Sequence, residues 1–173
     1  MRALIVYESL WGNTKRIAAA IADALAADGP TDVFDSDSAP HSTRGYDLLV
    51  VGGPTQAFSL SRPATRSDAV TSHGAPHAPM RGIREWLGVL ERPPTPTPAL
   101  VFDTRVDHPR LPGSAAKAAR HDLHALGFNT SADPQTFRVH GYAGPLLEGE
   151  QERATAWITA AWPPPSSARP DRA

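Results

Sequence analysis

Hydrophobic residues occur along the chain in five short runs, each of which predicts a β-strand. The runs at 2–7, 46–51 and 98–103 are apolar without polar alternation, as expected of central parallel strands buried on both faces. The run at 31–35 is short, and the run at 135–140 alternates between apolar and polar residues, which is typical of an edge strand. The pattern therefore predicts a five-stranded sheet.

Between these strands, apolar residues recur at helical spacing. Ile17, Ile21 and Leu25 lie four apart and form one stripe on a helix that follows the first strand. Further helices are predicted over 80–92, over 115–126 with Ser114 as N-cap, and over 148–162. Strands and helices that alternate in this way predict a three-layer α/β fold with a doubly wound parallel sheet and right-handed crossovers.

The segment between the first strand and the first helix has the composition of a phosphate-binding loop. Ser9, Gly12 and Thr14 fit the pattern Ser/Thr-x-x-Gly-x-Thr, at a point where free backbone amides meet the positive end of a helix dipole. A P-loop is excluded because Lys15 follows a lone glycine in the wrong register, and a dinucleotide fingerprint needs three glycines. The alternative is an ordinary turn into a helix that Asn13 or Thr14 caps.

The same segment resembles the FMN phosphate loop of the flavodoxin family, through Tyr7-Glu8-Ser9 followed by Gly12-Asn13-Thr14. The resemblance covers about residues 2–160 and includes Gly52-Gly53-Pro54-Thr55 after the third strand. It implies a flavodoxin-like fold with the strand order 2-1-3-4-5 and a ligand outside the carboxyl ends of strands one and three. It also implies FMN as the cofactor.

The resemblance assigns the FMN contacts to three loops at one edge of the sheet. The first loop would hold the phosphate, the second would border the flavin ring, and the third would lie against the ribityl chain and the pyrimidine. The candidate residues are Ser9, Leu10, Trp11, Gly12, Asn13 and Thr14 in the first loop, Pro54, Thr55, Gln56, Ala57 and Phe58 in the second, and Asp103, Thr104 and Arg105 in the third.

The chain departs from the flavodoxin pattern in three respects. The third loop lacks the tyrosine that commonly stacks on the flavin, which leaves Phe58 and Trp11 as the nearby aromatic residues. The second loop reads Ala57-Phe58-Ser59-Leu60 and has no glycine, so a positive φ there would be costly. Flavodoxins that shuttle electrons are usually strongly acidic, whereas the net charge of this chain is −1.

Three arginines lie close in sequence to the second and third loops. Arg62, Arg66 and Arg105 would stabilise the negative charge of a reduced flavin, which predicts a less negative potential than that of a typical flavodoxin. The alternative is that these arginines are solvated at the surface.

Length and composition limit the classes of function. The 173 residues fit one domain over 1–162, with a mobile loop over 67–79 and a disordered tail over 163–173. The near-neutral charge gives no bulk attraction to nucleic acid or an acidic membrane. The absence of cysteine excludes disulfides, thiolate catalysis and cysteine-ligated metal. The apolar runs are too short for a membrane span or a signal peptide, so a cytoplasmic location is expected.

These observations predict an FMN-binding redox protein, either an electron carrier or a small NAD(P)H- or quinone-type reductase. Its partner would be a redox protein or a reductase, and no oligomeric state is predicted. The alternative is a non-catalytic domain of the same fold that binds FMN weakly or not at all and acts through a protein partner. Hydrolysis of a phosphate ester is disfavoured because Ser9 has no nearby base in the sequence. No metal site is predicted, since glycine and proline separate His73 from His77, and His121 and His124 have no evident carboxylate partners.

Overall fold

The five predicted strands form one parallel sheet in the computed structural model, which describes residues 1–162. The strand order is β2-β1-β3-β4-β5, which confirms the predicted fold class and the predicted order. The elements in chain order are β1 (Ala3–Tyr7), α1 (Asn13–Leu25), β2 (Thr31–Asp35), β3 (Leu48–Pro54), α2 (Pro63–His73), α3 (Ile83–Val89), β4 (Ala99–Val106), α4 (Ala115–Ala125), β5 (Gln135–Val139) and α5 (Glu150–Ala161). The tail predicted over 163–173 lies outside the described residues.

Helices cover both faces of the sheet, which explains why the central strands are apolar at every position. Along β1, Leu4 and Val6 face the cluster that contains α3 and α4, whereas Ala3 and Ile5 face α1 and α5. The side chains of all four residues are fully buried. Strand β5 lies at the edge of the sheet, as its alternating pattern predicts.

Two strands continue past their apolar runs into the predicted loops. In β3 the continuation is Gly52, Gly53 and Pro54, which pair with Phe102, Asp103 and Thr104 of β4. A Cβ at Gly52 would overlap the ring of Phe102, so glycine leaves the space that this ring occupies. The predicted loop residues are therefore held by sheet hydrogen bonds.

Helix α2 replaces most of the irregular loop predicted over 67–79. The prediction was wrong because α2 contains small and polar residues and buries only Arg66 and Ala69, which leaves no apolar stripe in the sequence. Both ends of α2 have residues typical of helix termini. Pro63 is in the first turn, where an N–H has no partner within the helix, and Gly74 ends the helix with a left-handed backbone conformation. Ala69 packs against Leu10 of the first loop.

The remaining boundaries differ by a few residues from the predictions. Helix α3 begins at Ile83 rather than residue 80, and α5 begins at Glu150 rather than residue 148. Over residues 1–162, no helix is both long and apolar enough to cross a lipid bilayer.

Candidate functional site

A cavity of about 560 Å³ opens at the carboxyl edge of the sheet, where the three predicted loops meet. All the predicted site residues line it except Gly12 and Asp103. Those that do are Ser9, Leu10, Trp11, Asn13, Thr14, Pro54, Thr55, Gln56, Ala57, Phe58, Thr104 and Arg105. The volume falls within the range of small-molecule and cofactor sites.

The first loop leaves the N-terminus of α1 without a side-chain cap. Gly12 is the N-cap residue at φ 91°, and Asn13 and Thr14 are already helical, so neither caps the helix. Their side chains have other partners: the Asn13 amide donates to the Ala143 carbonyl at 3.0 Å, and the Thr14 hydroxyl shares a hydrogen bond with the Thr104 hydroxyl at 2.8 Å. The amides of the first turn remain for an anion.

Two side chains that line the cavity have a buried polar atom without a protein partner. The indole Nε1 of Trp11 is a donor, and Oε1 of Gln56 is an acceptor. A buried polar group that lacks a partner costs free energy, so each of these atoms favours a polar ligand. The cavity therefore fits a ligand that has an anionic oxygen and a hydrogen-bond donor.

The second loop is a tight two-residue turn between Gln56 and Ser59. Their backbone groups exchange hydrogen bonds of 2.9 and 3.1 Å, and the central residues Ala57 and Phe58 have φ of 44° and 69°. Positive φ at both central positions is the type I′ geometry, which normally selects asparagine and glycine. Ala57 and Phe58 both carry a side chain and both adopt the positive φ that is costly for such residues.

Asp103 lies beneath the cavity and joins the second and third loops to helix α4. It is fully buried, and its Oδ2 accepts hydrogen bonds from the Thr55 hydroxyl at 2.9 Å, the Ser114 hydroxyl at 2.6 Å and the Ala116 amide at 3.2 Å. Ser114 also accepts from the Lys117 amide at 3.1 Å, so the predicted N-cap is confirmed. Asp103 thus connects the loops from below and does not line the cavity, and its other carboxylate oxygen, Oδ1, has no protein partner.

Comparison with known proteins places this arrangement in a known architecture. No family model and no curated protein sequence matches the chain. Among solved structures, the chain is similar to flavodoxin 2 from Bacillus cereus, with a TM-score of 0.65 at 18% identity over 92% of this chain and 97% of that one. A flavodoxin from Streptococcus pneumoniae gives a TM-score of 0.66 at 17% identity over 93% and 99%. The chain has the flavodoxin-like fold.

The same fold also occurs within a larger protein. A flavodiiron core from Synechocystis gives a TM-score of 0.57 at 19% identity, and the match covers 92% of this chain but 36% of that one. The flavodoxin-like chain thus corresponds in length to the two flavodoxins and to about a third of the flavodiiron core.

The three arginines of this flavodoxin-like chain have different environments. Arg66 has 2% of its surface exposed and pairs with Glu85 at 3.0 Å and with the Ser61 hydroxyl at 2.9 Å, so it neither lines the cavity nor is solvated. Arg62 is exposed and does not line the cavity. Arg105 does line it, and its guanidinium donates to the Leu111 carbonyl. Only one of the three arginines therefore borders the cavity.

Glu8 anchors the first loop from below. Its side chain is buried, and its Oε2 accepts a hydrogen bond of 2.9 Å from the amide of Ile83, at the start of α3. Burial raises the pKa of Glu8 and outweighs the opposing effects of hydrogen bonds from Ser61 and Ile83 and of the charge on Arg66. Glu8 thus joins the end of β1 to the beginning of α3.

Several residues of the cavity wall were not predicted from the sequence. Tyr142, which follows β5, stacks on His73 of α2 with ring centroids 4.1 Å apart and lies 6.4 Å from the ring of Trp11. Asp68 and His108 also line the cavity. The signal for Tyr142 was available, because the carboxyl end of β5 lies at the same edge of a parallel sheet as the other three loops.

Proposed function

We propose that this chain binds FMN non-covalently in the cavity and transfers electrons through it. The observation that carries the proposal is the position of the cavity, beside an uncapped helix N-terminus and between the loops that follow β1, β3 and β4. The flavodoxin-like fold supports it, since ligands of such sheets bind at the point where the strand order reverses. FMN supplies the redox chemistry, and the protein binds and orients it.

The first loop fits a phosphate monoester that is held mainly by neutral donors. Backbone amides at the start of α1 are available to phosphate oxygens, and the buried Nε1 of Trp11 is a donor without a protein partner. Thr14 and Thr104 share one hydrogen bond, so one of the two hydroxyls still has its own hydrogen to donate. Arg105 is the one arginine or lysine among the lining residues, and it comes from the third loop.

The second and third loops would hold the flavin ring and control access to it. Gln56 has a buried acceptor for a ring N–H, and the turn at Ala57 and Phe58 borders the cavity. Phe58 and Leu111 are 54% and 53% exposed at the rim, where a redox partner protein would dock and exchange electrons.

The deciding experiment is a flavin titration of wild type and a Gly12→Asp variant. The purified wild-type protein should show the visible absorption of an oxidised flavin, or acquire it on addition of FMN. Gly12→Asp should lose at least about 100-fold in FMN affinity, because the variant places a carboxylate beside the phosphate at a cost of several kcal/mol.

Gly45→Asp is the matched control. Gly45 also has a positive φ, at 82°, and a Cβ there also meets no atom within 4 Å, but Gly45 does not line the cavity. The control should bind FMN as the wild type does. A colourless protein that leaves FMN fluorescence unchanged would contradict the proposal and favour a non-catalytic domain that acts through a protein partner.

The choice between a carrier and a reductase depends on a separate assay. Oxidation of NAD(P)H with a quinone by the purified, FMN-loaded protein alone would identify a reductase. A requirement for an added redox protein would identify a carrier.

A further inference from the structure

The phosphate side of the cavity is bordered by an aromatic stack that joins two distant parts of the chain. His73, at the end of α2, lies on Tyr142, in the segment after β5, with an interplanar angle of 19°. Asp68, five residues earlier on α2, has a carboxylate oxygen 3.3 Å from His73 Nε2. We call these three residues the aromatic belt; all three line the cavity.

Both halves of the belt are attached to the first loop. On the α2 side, Ala69 and Ala75 pack on Leu10 with Trp11 against them. On the β5 side, Ala143 accepts the hydrogen bond from Asn13. The belt and the first loop therefore form a closed ring of contacts around one end of the cavity.

The attachment on the β5 side is close and depends on a glycine. A Cβ at Gly144 would overlap the side-chain amide of Asn13, so a residue without a side chain is needed where this segment meets Asn13. Tyr142, two residues earlier, is thereby held over the first loop. Its ring reaches His73 although 61% of its surface remains exposed.

We propose that the aromatic belt closes the phosphate end of the cavity and selects a flavin that ends in a phosphate monoester over a flavin dinucleotide. The inference rests on the proposed function and names the ligand class of the same site. A mononucleotide ends at its phosphate and fits inside the closed ring. In a dinucleotide the chain continues through a second phosphate to an adenosine, which would have to separate His73 from Tyr142.

Charge at the belt acts in the same direction. Asp68 is the one carboxylate among the residues that line the cavity. It lies beside the stack and would repel the second phosphate of a dinucleotide that extended between His73 and Tyr142. The phosphate of a mononucleotide remains at the helix N-terminus, where backbone amides attract it.

The test is a set of calorimetric titrations of the full chain with riboflavin, FMN and FAD. The wild type should bind FMN at least about 100-fold more tightly than FAD. Tyr142→Ala opens the belt and should tighten FAD binding by at least about tenfold, so that the ratio of the two Kd values falls. Tyr142→Phe keeps the ring and should retain the wild-type ratio.

Tyr46→Ala is the control for loss of a tyrosine elsewhere, since Tyr46 does not line this cavity. Its Kd ratio should equal that of the wild type. Comparable FMN and FAD affinities in the wild type, or an unchanged ratio in Tyr142→Ala, would overturn the role of the belt while FMN binding stands. Binding of no flavin at all would overturn the proposed function and the inference together, and equal binding of riboflavin and FMN would show that the first loop does not hold phosphate.

Discussion

The turn at Ala57 and Phe58 shows how a tertiary contact overrides a local conformational preference. The left-handed region costs a residue with a Cβ about 1–2 kcal/mol, and two successive residues occupy it here. The turn is pressed against the third loop, where a Cβ at Gly113 would overlap the carbonyl of Phe58. Packing of the two loops therefore holds a backbone that these residue types disfavour.

Replacing Ala57 with asparagine should raise the free energy of unfolding by about 0.5–1 kcal/mol, because asparagine tolerates positive φ and is preferred in type I′ turns. Urea unfolding followed by circular dichroism measures the change. The control is Ala26→Asn, since Ala26 is exposed but has φ of −59°. A loss of stability in Ala57→Asn, or an equal gain in Ala26→Asn, would contradict the account of strain in this turn.

At the scale of elements, a buried polar cluster connects β1, α2 and α3 beneath the first loop. Arg66 of α2 contacts Ser61 and Glu85, and Glu8 at the end of β1 accepts from the first amide of α3. Gly82 lies among these groups, and a Cβ there would overlap Arg66. The cluster explains why α2, which has few apolar residues, is nevertheless held to the domain.

The raised pKa of Glu8 predicts a pH dependence of stability. Since the folded-state pKa lies above the ordinary value of 4.5, the folded protein binds more protons than the unfolded chain between those two values. The contribution of Glu8 to stability is therefore present below pH 4.5 and is lost as the pH rises through the folded pKa. Glu8→Gln stays uncharged, so its stability relative to the wild type should increase with pH above about 4.5.

Urea unfolding of both proteins from pH 4 to pH 8 tests this expectation. Glu91→Gln, at an exposed position, is the control and should follow the wild type at every pH. A constant difference between Glu8→Gln and the wild type over this range would show that the pKa of Glu8 is the same in the folded protein and the unfolded chain.

At the scale of the whole molecule, the charge around the cavity differs from that of an acidic electron carrier. The net charge is −1, and Arg105 lines the cavity together with His73 and His108. A cationic group near a bound flavin favours its negatively charged reduced form. The expectation of a less negative potential therefore depends on Arg105, because Arg66 is paired within the buried cluster.

In the FMN-loaded protein, Arg105→Gln should shift the two-electron midpoint potential by about 20–30 mV toward more negative values. This corresponds to the loss of about 1 kcal/mol of interaction with the reduced flavin. Arg62→Gln removes an exposed arginine that does not line the cavity and should change the potential by less than half of that. Equal shifts in the two variants would mean that Arg105 acts only through the net charge.

The order of the strands and the convergence of three loops at one edge of the sheet were predictable because both depend on short-range patterns. An apolar run such as 46–51 is long enough to identify a buried strand, and Ser9, Gly12 and Thr14 lie within six residues. Since the carboxyl ends of parallel strands meet at one edge, residues that follow β1, β3 and β4 had to converge.

The contacts between segments that are distant in sequence were decided by the tertiary structure alone. Helix α2 has no apolar stripe from which it could be predicted. Arg66 is buried where Glu85 and Ser61 bind it. Tyr142 stacks on His73 across the cavity. Ala57 and Phe58 disfavour the left-handed backbone that they adopt, and packing of the third loop against the turn stabilises it. Local sequence thus determined the order of the strands and the conformation of the loop between β1 and α1, whereas long-range packing determined which side chains form the wall of the cavity.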